Sequence, residues 1–133
     1  KKIILVDDSL VRGTTCYKIV KMLYGAGAKE VHVRIACPEI IYPDFYGVDM
    51  PTKKELLAHE KTNEEMCKYI GAKSLKFLSI DGLYEALIKQ KRNNTYPQFS
   101  DHYFTGDYPI KPDDLLGKEK VTQLSLLSGK SNN

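Results

Sequence analysis

IILVDDSLVRGTT, at residues 3–15, is the most informative stretch of this sequence. Its first four residues are apolar and three of them are β-branched, which predicts a strand buried on both faces, as in a parallel sheet covered by helices. Asp7 and Asp8 follow at the carboxyl end of this strand. Because carboxylates are costly to bury and contribute little to packing, the pair indicates a binding edge of the sheet.

A loop suited to an anion follows the two carboxylates. Gly13 can adopt a positive φ and let a ligand approach the backbone, and Thr14 or Thr15 can supply hydroxyl donors and the N-cap of the next helix. Backbone N–H groups at a helix start have no intrahelical partner and lie at the positive end of the helix dipole, so they stabilise a phosphate. The carboxylates can accept hydrogen bonds from ribose hydroxyls and help to hold a divalent cation. These residues therefore predict a sugar-phosphate site.

Up to about residue 92, the pattern predicts alternating strands and helices. The predicted helices cover residues 14–24, 53–60 and 63–70 and a segment that begins at Ser79 or Asp81, and further strands cover residues 31–36 and 75–80. Strand, helix and strand joined by short connections form a right-handed βαβ unit, which brings the carboxyl ends of the strands to one edge. We expect the last helix to pack on the sheet through Leu83, Leu87 and Ile88.

The remaining polar and aromatic residues predict less. His32 and Arg34 alternate with the apolar residues of their strand, as on an exposed or interface face. The aromatic residues of the irregular segment 37–51 either form an interface or pocket wall or cover the sheet edge. Four residues have ordinary structural interpretations: we expect turn residues at Asp44 and Asp49, a solvated His59, and a surface or hydrogen-bonded His102. Residues 91–112 lack a period and predict an extended segment that depends on another surface, and the stretch from Leu115 predicts a short helix or strand with a frayed end.

The composition argues against several classes of function. The net charge is only +3 and basic residues are interspersed with acidic ones, so no nucleic-acid surface is expected. No apolar run is long enough for a bilayer and no signal peptide is recognisable, so we expect a cytoplasmic protein without a membrane. Cys16, Cys37 and Cys67 form no close pair, so neither a disulfide framework nor a metal site built from them is expected. A first strand directly after Lys-Lys, without an initiator methionine, indicates a fragment.

The stretch at residues 3–15 resembles the phosphoribosylpyrophosphate-binding motif of type I phosphoribosyltransferases: a hydrophobic strand, two acidic residues and a small-residue loop that ends in threonines. The resemblance continues through GAKEVHVRIACPEIIYPDFYGVDMPTKKELLA, IGAKSLKFLSIDGLYEAL and FTGDYP, which are similar to the later part of the amidophosphoribosyltransferase family. It implies a partial type I phosphoribosyltransferase fold, a parallel sheet flanked by helices. Residues 1–92 would be the carboxyl-terminal half of the transferase domain, and residues 93–133 an irregular extension.

The resemblance also implies roles for residues. Asp7 and Asp8 would contact the ribose hydroxyls and Mg²⁺. The 5-phosphate would be bound by residues of the following loop, namely Ser9, Val11, Arg12, Gly13, Thr14 and Thr15. The implied reaction replaces pyrophosphate with ammonia at the anomeric carbon, giving 5-phosphoribosylamine in the first step of purine synthesis. The ammonia would come from glutamine in a separate amino-terminal glutaminase domain. No catalytic residue is therefore assigned within this chain, which we expect to be inactive alone.

The resemblance further implies partners and cofactors. The whole enzyme would be a homo-oligomer, and purine nucleotides would inhibit it by occupying the same phosphate loop. One subfamily carries an iron-sulfur cluster on cysteines, but Asp44 precedes FYG here and Tyr103 precedes FTG, with Ser100 three residues earlier, so no cluster is expected. Two alternatives stay open: a non-catalytic module that binds phosphoribosylpyrophosphate or a purine nucleotide, and a different type I transferase that acts on a free base.

Overall fold

The computed structural model describes residues 1–47 and 52–110, and within them three parallel strands form one sheet. The strands are β1 (Lys2–Asp7), β2 (Glu30–Ile35) and β3 (Ser74–Phe77), in the order β1-β2-β3. The α-helices are α1 (Thr14–Gly25), α2 (Leu57–Glu60), α3 (Asn63–Ile70), α4 (Ile80–Ile88) and α5 (His102–Thr105). The predicted α/β fold with a parallel sheet is therefore confirmed. Asp49 and residues 111–133 of the predicted extension lie outside the described residues.

The core lies between one face of the sheet and the helices α1 and α3. Val31, Val33 and Ile35 alternate along β2 and are buried on this face. Their partners include Cys16 and Val20 from α1 and Met66 and Ile70 from α3, together with Leu75 from β3. The burial of every second residue of β2 agrees with the prediction that His32 and Arg34 occupy the other, polar face.

β1 is buried on one face only, so the prediction of a strand covered on both faces is wrong for the described part of the chain. Ile3 and Leu5 pack against the core. Ile4 and Val6 point to the opposite face, and each is 68% exposed. The reason is that α1 and α3 lie against the face of Ile3 and Leu5, and alternate side chains of a strand point to opposite faces.

The predicted helix near residues 53–60 is interrupted. A 3₁₀ turn covers Lys53–Glu55, and Leu56 then has extended backbone angles (φ −78°, ψ 112°) before α2 begins. This break lets the backbone N–H of Leu57 donate to the carbonyl of Val11 at 2.9 Å, outside its own segment. The second prediction is confirmed, because α3 begins with the Thr62–Glu65 capping box and ends at Gly71 with φ 73°.

α4 buries a residue other than the leucines that the helical period selects. Ser79 caps this helix by accepting a hydrogen bond from the N–H of Gly82. Because the helix already begins at Ile80, β3 ends at Phe77 and does not reach residue 80 as predicted. Tyr84 is 1% exposed, whereas Leu87 is 60% exposed. The expectation that Leu87 packs on the sheet is therefore wrong: the tyrosine hydroxyl, which donates to Asp101 at 2.7 Å, orients the buried face towards the extension.

Candidate functional site

A cavity of about 310 Å³ opens between the end of β1 and the start of α1. Its lining residues are Asp7, Asp8, Ser9, Leu10, Val11, Arg12, Gly13, Thr14, Thr15 and Cys16. All of the residues predicted from the sequence to form the sugar-phosphate site therefore surround one cavity. We call residues 9–15 the anion loop.

The two carboxylates lie at the carboxyl edge of the sheet. The backbone carbonyl of Asp7 accepts a hydrogen bond from the N–H of Ala36 at 2.9 Å, which ties the end of β1 to the end of β2. Its side-chain Oδ1 accepts from the N–H of Asp8 at 3.0 Å. Oδ1 of Asp8 accepts from the hydroxyl of Ser9 at 3.1 Å. The sheet thus fixes the backbone of Asp7, while Asp8 is exposed and can reach a ligand.

Gly13 is the N-cap of α1 and has the positive φ that the sequence predicts, 76°. The prediction that Thr14 or Thr15 is the N-cap is wrong, because both are already helical and no side chain caps this helix. A Cβ at position 13 would lie 2.7 Å from Leu57 Cδ2 and 3.0 Å from Tyr69 Cε1. Glycine is thus needed for both the conformation and the space, and the first-turn N–H groups have no side-chain cap.

Residues 52–57 support the anion loop from outside. The N–H of Leu57 donates to the carbonyl of Val11, and Nη2 of Arg12 lies 3.2 Å from Oε1 of Glu55. Sequence reasoning missed both contacts. The capping-box spacing identifies Glu55 as a helix-start residue, but no local pattern relates it to an arginine 43 residues earlier. Hydrogen bonds from Thr52, with Arg12 adding to them, lower the pKa of the Glu55 carboxyl below its ordinary value.

The thiol that lines the cavity is held in its neutral form. Burial, and then the charge of Asp7, raises the pKa of Cys16 to about 11. Burial, and then the charge of Asp8, also raises the pKa of Cys37. Because the thiolate is the reactive form, neither cysteine is poised as a nucleophile at neutral pH. Residues 1–47 and 52–110 contain no group of three or more histidine, cysteine or acidic side chains that could hold a metal. The carboxylates that line the cavity are those of Asp7 and Asp8.

A second polar cluster lies away from the cavity. His102 is 1% exposed, and its Nε2 lies 2.8 Å from Oδ1 of Asp44 while Nδ1 lies 3.1 Å from the hydroxyl of Ser100. His102 is therefore hydrogen-bonded, as one of the two predicted possibilities, and is not on the surface. Asp44 does accept from the N–H of Tyr46, as a turn residue does, but its burial beside a histidine was not predicted. Burial, and then Asp44, raises the pKa of Tyr103.

The aromatic residues between positions 42 and 46 pack on the extension. The rings of Tyr46 and His102 meet edge to face at 5.1 Å, and those of Phe45 and Tyr108 lie 5.5 Å apart. A Cβ at Gly106 would lie 2.9 Å from Cζ of Tyr42. The backbone N–H groups of Ile41 and Tyr42 both donate to the carbonyl of Tyr103. These aromatics therefore pack against the extension of the same chain, and the interface, the pocket wall and the cover for the sheet edge stay predictions.

Asp101 of the extension forms a buried ion pair with Arg92, which follows α4, and accepts a hydrogen bond from Tyr84 of α4. Nε and Nη2 of Arg92 donate to the two carboxylate oxygens of Asp101 at 2.6 and 3.1 Å, and Nη2 also reaches Asp107 at 2.6 Å. The hydroxyls of Tyr84 and Thr105 donate to the same carboxylate.

Among residues 1–47 and 52–110, no helix has the length and apolar character of a bilayer span.

Curated proteins similar in sequence are amidophosphoribosyltransferases. The Rhizobium etli protein is 55% identical over 129 residues, which are 96% of this chain and 26% of that protein. The Staphylococcus aureus (strain Mu50) protein is 54% identical over 109 residues, which are 82% of this chain and 22% of that protein. No family model matches the chain. The chain thus spans about a quarter of the length of the curated relatives it matches.

A solved structure with the same fold carries a related name. It is the glutamine phosphoribosylpyrophosphate amidotransferase from B. subtilis complexed with ADP and GMP. The TM-score is 0.74 with 44% sequence identity, over 83% of this chain and 24% of that one. The resemblance stated from the sequence is therefore confirmed for both sequence and fold.

Proposed function

We propose that this chain, which matches amidophosphoribosyltransferases in sequence and fold, is the carboxyl-terminal part of the phosphoribosyltransferase domain of such an enzyme. Residues 1–92 are then that part of the domain, and residues 93–133 are its extension. The observation that carries the proposal is the single cavity formed by two carboxylates, the anion loop and the start of α1. Phosphoribosylpyrophosphate presents a 5-phosphate and vicinal ribose hydroxyls, the two kinds of group that these residues recognise.

The roles of the residues follow from their donors and acceptors. The anion loop offers hydroxyls, backbone N–H groups and one guanidinium to the 5-phosphate. The residues that we assign to this phosphate are Ser9, Val11, Arg12, Gly13, Thr14 and Thr15. Asp7 and Asp8 accept hydrogen bonds from the ribose hydroxyls. Their charges also stabilise the positive charge that develops on the ribose ring when the bond to pyrophosphate breaks. Loss of pyrophosphate and addition of ammonia at the anomeric carbon give 5-phosphoribosylamine.

The carboxylates of Asp7 and Asp8 also fit a magnesium ion. Mg²⁺ usually takes one or two protein carboxylates and completes its shell with water and phosphate oxygens, so two acidic side chains beside a phosphate loop form a suitable donor set. The bound ion would neutralise the charge of the leaving pyrophosphate. In this protein Asp7 is the better fixed of the two ligands, because its backbone belongs to β1 and is tied to β2.

The other parts of the reaction belong to the whole enzyme. We propose that its glutaminase domain supplies the ammonia, that it assembles as a homo-oligomer in the cytoplasm, and that this chain alone is inactive. The B. subtilis relative is named as a complex with ADP and GMP. A purine nucleotide carries a 5-phosphate on a ribose, so we propose that such nucleotides inhibit by binding the anion loop.

Calorimetric titration with magnesium phosphoribosylpyrophosphate tests the proposal. The wild-type chain should bind, and the Asp7→Asn, Asp8→Asn double variant should lose more than about 1.5 kcal/mol of binding free energy, as for hydrogen bonds to charged groups. Asp81→Asn is the matched control, because Asp81 is an exposed carboxylate in the first turn of α4 and does not line the cavity. Equal binding by the double variant and the control would contradict the roles proposed for Asp7 and Asp8. Absence of binding by the wild type would leave the family match standing and would show that this chain is an incomplete piece of the substrate site.

A further inference from the structure

The arginine of the anion loop has a partner outside the cavity. Arg12 lines the cavity, and its Nη2 lies 3.2 Å from Oε1 of Glu55. Glu55 itself does not belong to the lining. Both side chains are about half exposed, at 56% for Arg12 and 46% for Glu55. An ion pair this exposed to water is weak, so a stronger anion can displace its carboxylate.

Glu55 is held in place independently of Arg12. Its Oε2 accepts hydrogen bonds from both the backbone N–H and the hydroxyl of Thr52, each at 3.1 Å. Oε1 faces Arg12. When the guanidinium leaves, the capping box can therefore keep the carboxylate where it is, ready to take the guanidinium back. The arrangement combines a fixed acceptor with a long, movable donor.

We propose that Glu55 competes with the ligand's phosphate for Arg12 and so sets the affinity of the anion loop. The inference rests on the proposed function, because it takes the anion loop to be the phosphate site. A phosphate dianion carries more charge than one carboxylate and matches the planar fork of a guanidinium. Arg12 therefore turns from Glu55 to the phosphate on binding, and returns to Glu55 when the ligand leaves. Glu55 weakens phosphate binding and speeds release without touching the ligand.

The chain offers a matched control for this competition. Glu65 belongs to a second capping box, with Thr62, and accepts from the backbone N–H and hydroxyl of Thr62 as Glu55 does from Thr52. Glutamine preserves a capping box while it removes the charge. Glu55→Gln and Glu65→Gln therefore make the same chemical change in the same local motif, and only the first removes the partner of Arg12.

The first experiment measures binding of ribose 5-phosphate by calorimetry to the wild type, Glu55→Gln, Glu65→Gln, Arg12→Gln and the Arg12→Gln, Glu55→Gln double variant. Glu55→Gln should bind about two- to fivefold more tightly than the wild type, as expected for release of an exposed ion pair. Glu65→Gln should bind as the wild type does. In the Arg12→Gln background, Glu55→Gln should change nothing. High salt should reduce the effect of Glu55→Gln, because the interaction is screened.

A second measurement follows Glu55 directly. The carboxyl ¹³C resonances of Glu55 and Glu65 report their pKa values, and saturation with ribose 5-phosphate should raise the pKa of Glu55 while that of Glu65 stays unchanged. Tight binding by the wild type with no difference between Glu55→Gln and Glu65→Gln would overturn this inference and leave the phosphate site standing. An unchanged pKa of Glu55 in the saturated chain would do the same. Failure of every form to bind ribose 5-phosphate would overturn the phosphate site and this inference together.

Discussion

Nε2 of His102 lies 2.8 Å from Oδ1 of Asp44, a residue 58 positions earlier, and both side chains are almost completely buried. The pair joins the extension to the segment that follows β2. Farther along the chain, the N–H of Leu57 contacts the anion loop by donating to the carbonyl of Val11. The contact between the extension and this segment thus includes a buried polar pair, and we expect substitution of either partner to lower the stability of the fold.

His102→Ala should lower the free energy of unfolding by about 1–3 kcal/mol, because it removes one hydrogen-bond partner of the buried Asp44 carboxyl. Urea unfolding followed by circular dichroism measures the change. His59→Ala is the control, since His59 is exposed on α2 and should cost less than about 0.5 kcal/mol. Similar losses in the two variants would show that the buried pair does not stabilise the fold.

Gly13→Ala should destabilise the chain and weaken its binding of ribose 5-phosphate. The substitution forces a side chain into a left-handed conformation and also drives a Cβ against Leu57 and Tyr69, at 2.7 and 3.0 Å. Gly71→Ala separates the two effects, because Gly71 has nearly the same φ, 73°, but no atom within 4 Å of the added Cβ. We expect a loss of about 1–2 kcal/mol at Gly71 from conformation alone, and about 1–3 kcal/mol more at Gly13 from overpacking.

The unfolding free energies of these two glycine variants are the decisive comparison. Equal losses would mean that Leu57 and Tyr69 yield to the added methyl group. In that case the close approach of residues 57 and 69 would not constrain the anion loop, and the reduced affinity expected for Gly13→Ala should be absent as well.

Arg92→Lys should destabilise the chain although it keeps the positive charge. Lysine cannot reproduce the fork by which Arg92 contacts both oxygens of Asp101 and also Asp107, so the buried carboxylate loses part of its hydrogen bonding. We expect a loss of about 1–3 kcal/mol in urea unfolding. Lys91→Arg, at an exposed neighbouring position, should leave stability unchanged. A tolerated Arg92→Lys would show that charge alone is sufficient at this position.

The stability of the chain should fall as the pH is lowered through the acidic range, in part because of Asp101. Burial opposes ionisation of this carboxyl, but hydrogen bonds from Arg92, Tyr84 and Thr105 outweigh it and lower its pKa below the ordinary value. A carboxyl with a depressed pKa in the folded state stabilises the fold above its unfolded pKa, about 4, and this contribution is lost as the pH falls through the folded value.

Urea unfolding at several pH values measures this dependence. Asp101→Asn should flatten the acid limb relative to the wild type, because its side chain does not titrate. Glu30→Gln removes a partly exposed carboxyl whose pKa is also lowered, chiefly by a hydrogen bond from Lys2. It should flatten the limb less, because water screens that interaction. An acid limb of unchanged slope in Asp101→Asn would exclude Asp101 as its source.

The candidate site could be predicted because its parts are contiguous. A strand, two carboxylates, a glycine and a helix start within residues 2–15 bring their functional groups together by local geometry alone, and the two capping boxes are local as well. The contact of Arg12 with Glu55 could not be predicted, since it spans 43 residues and depends on how residues 52–57 lie against the anion loop. The same limit applies to His102 and Asp44, whose types alone are compatible with a surface or a buried pair.

Two errors concern burial and have a related cause. The apolar run of β1 predicts a strand, but which faces are covered depends on neighbouring strands and helices that periodicity does not describe. In α4 the helical period predicts that the leucines are buried. The buried residue is Tyr84, because its hydroxyl donates a hydrogen bond to Asp101. Hydrophobicity ranks side chains by their apolar area and takes no account of a distant hydrogen-bond partner.

The uncovered face of β1 also matters for handling the chain in solution. Ile4 and Val6 are both largely exposed, and they belong to a strand at the edge of the described sheet. Apolar edge strands can pair with other molecules and lead to aggregation. Ligand titrations at high protein concentration would then report self-association together with binding. Affinities should therefore be compared at several protein concentrations, and Ile4→Lys, which adds a charge to the exposed face, is a suitable background for those titrations.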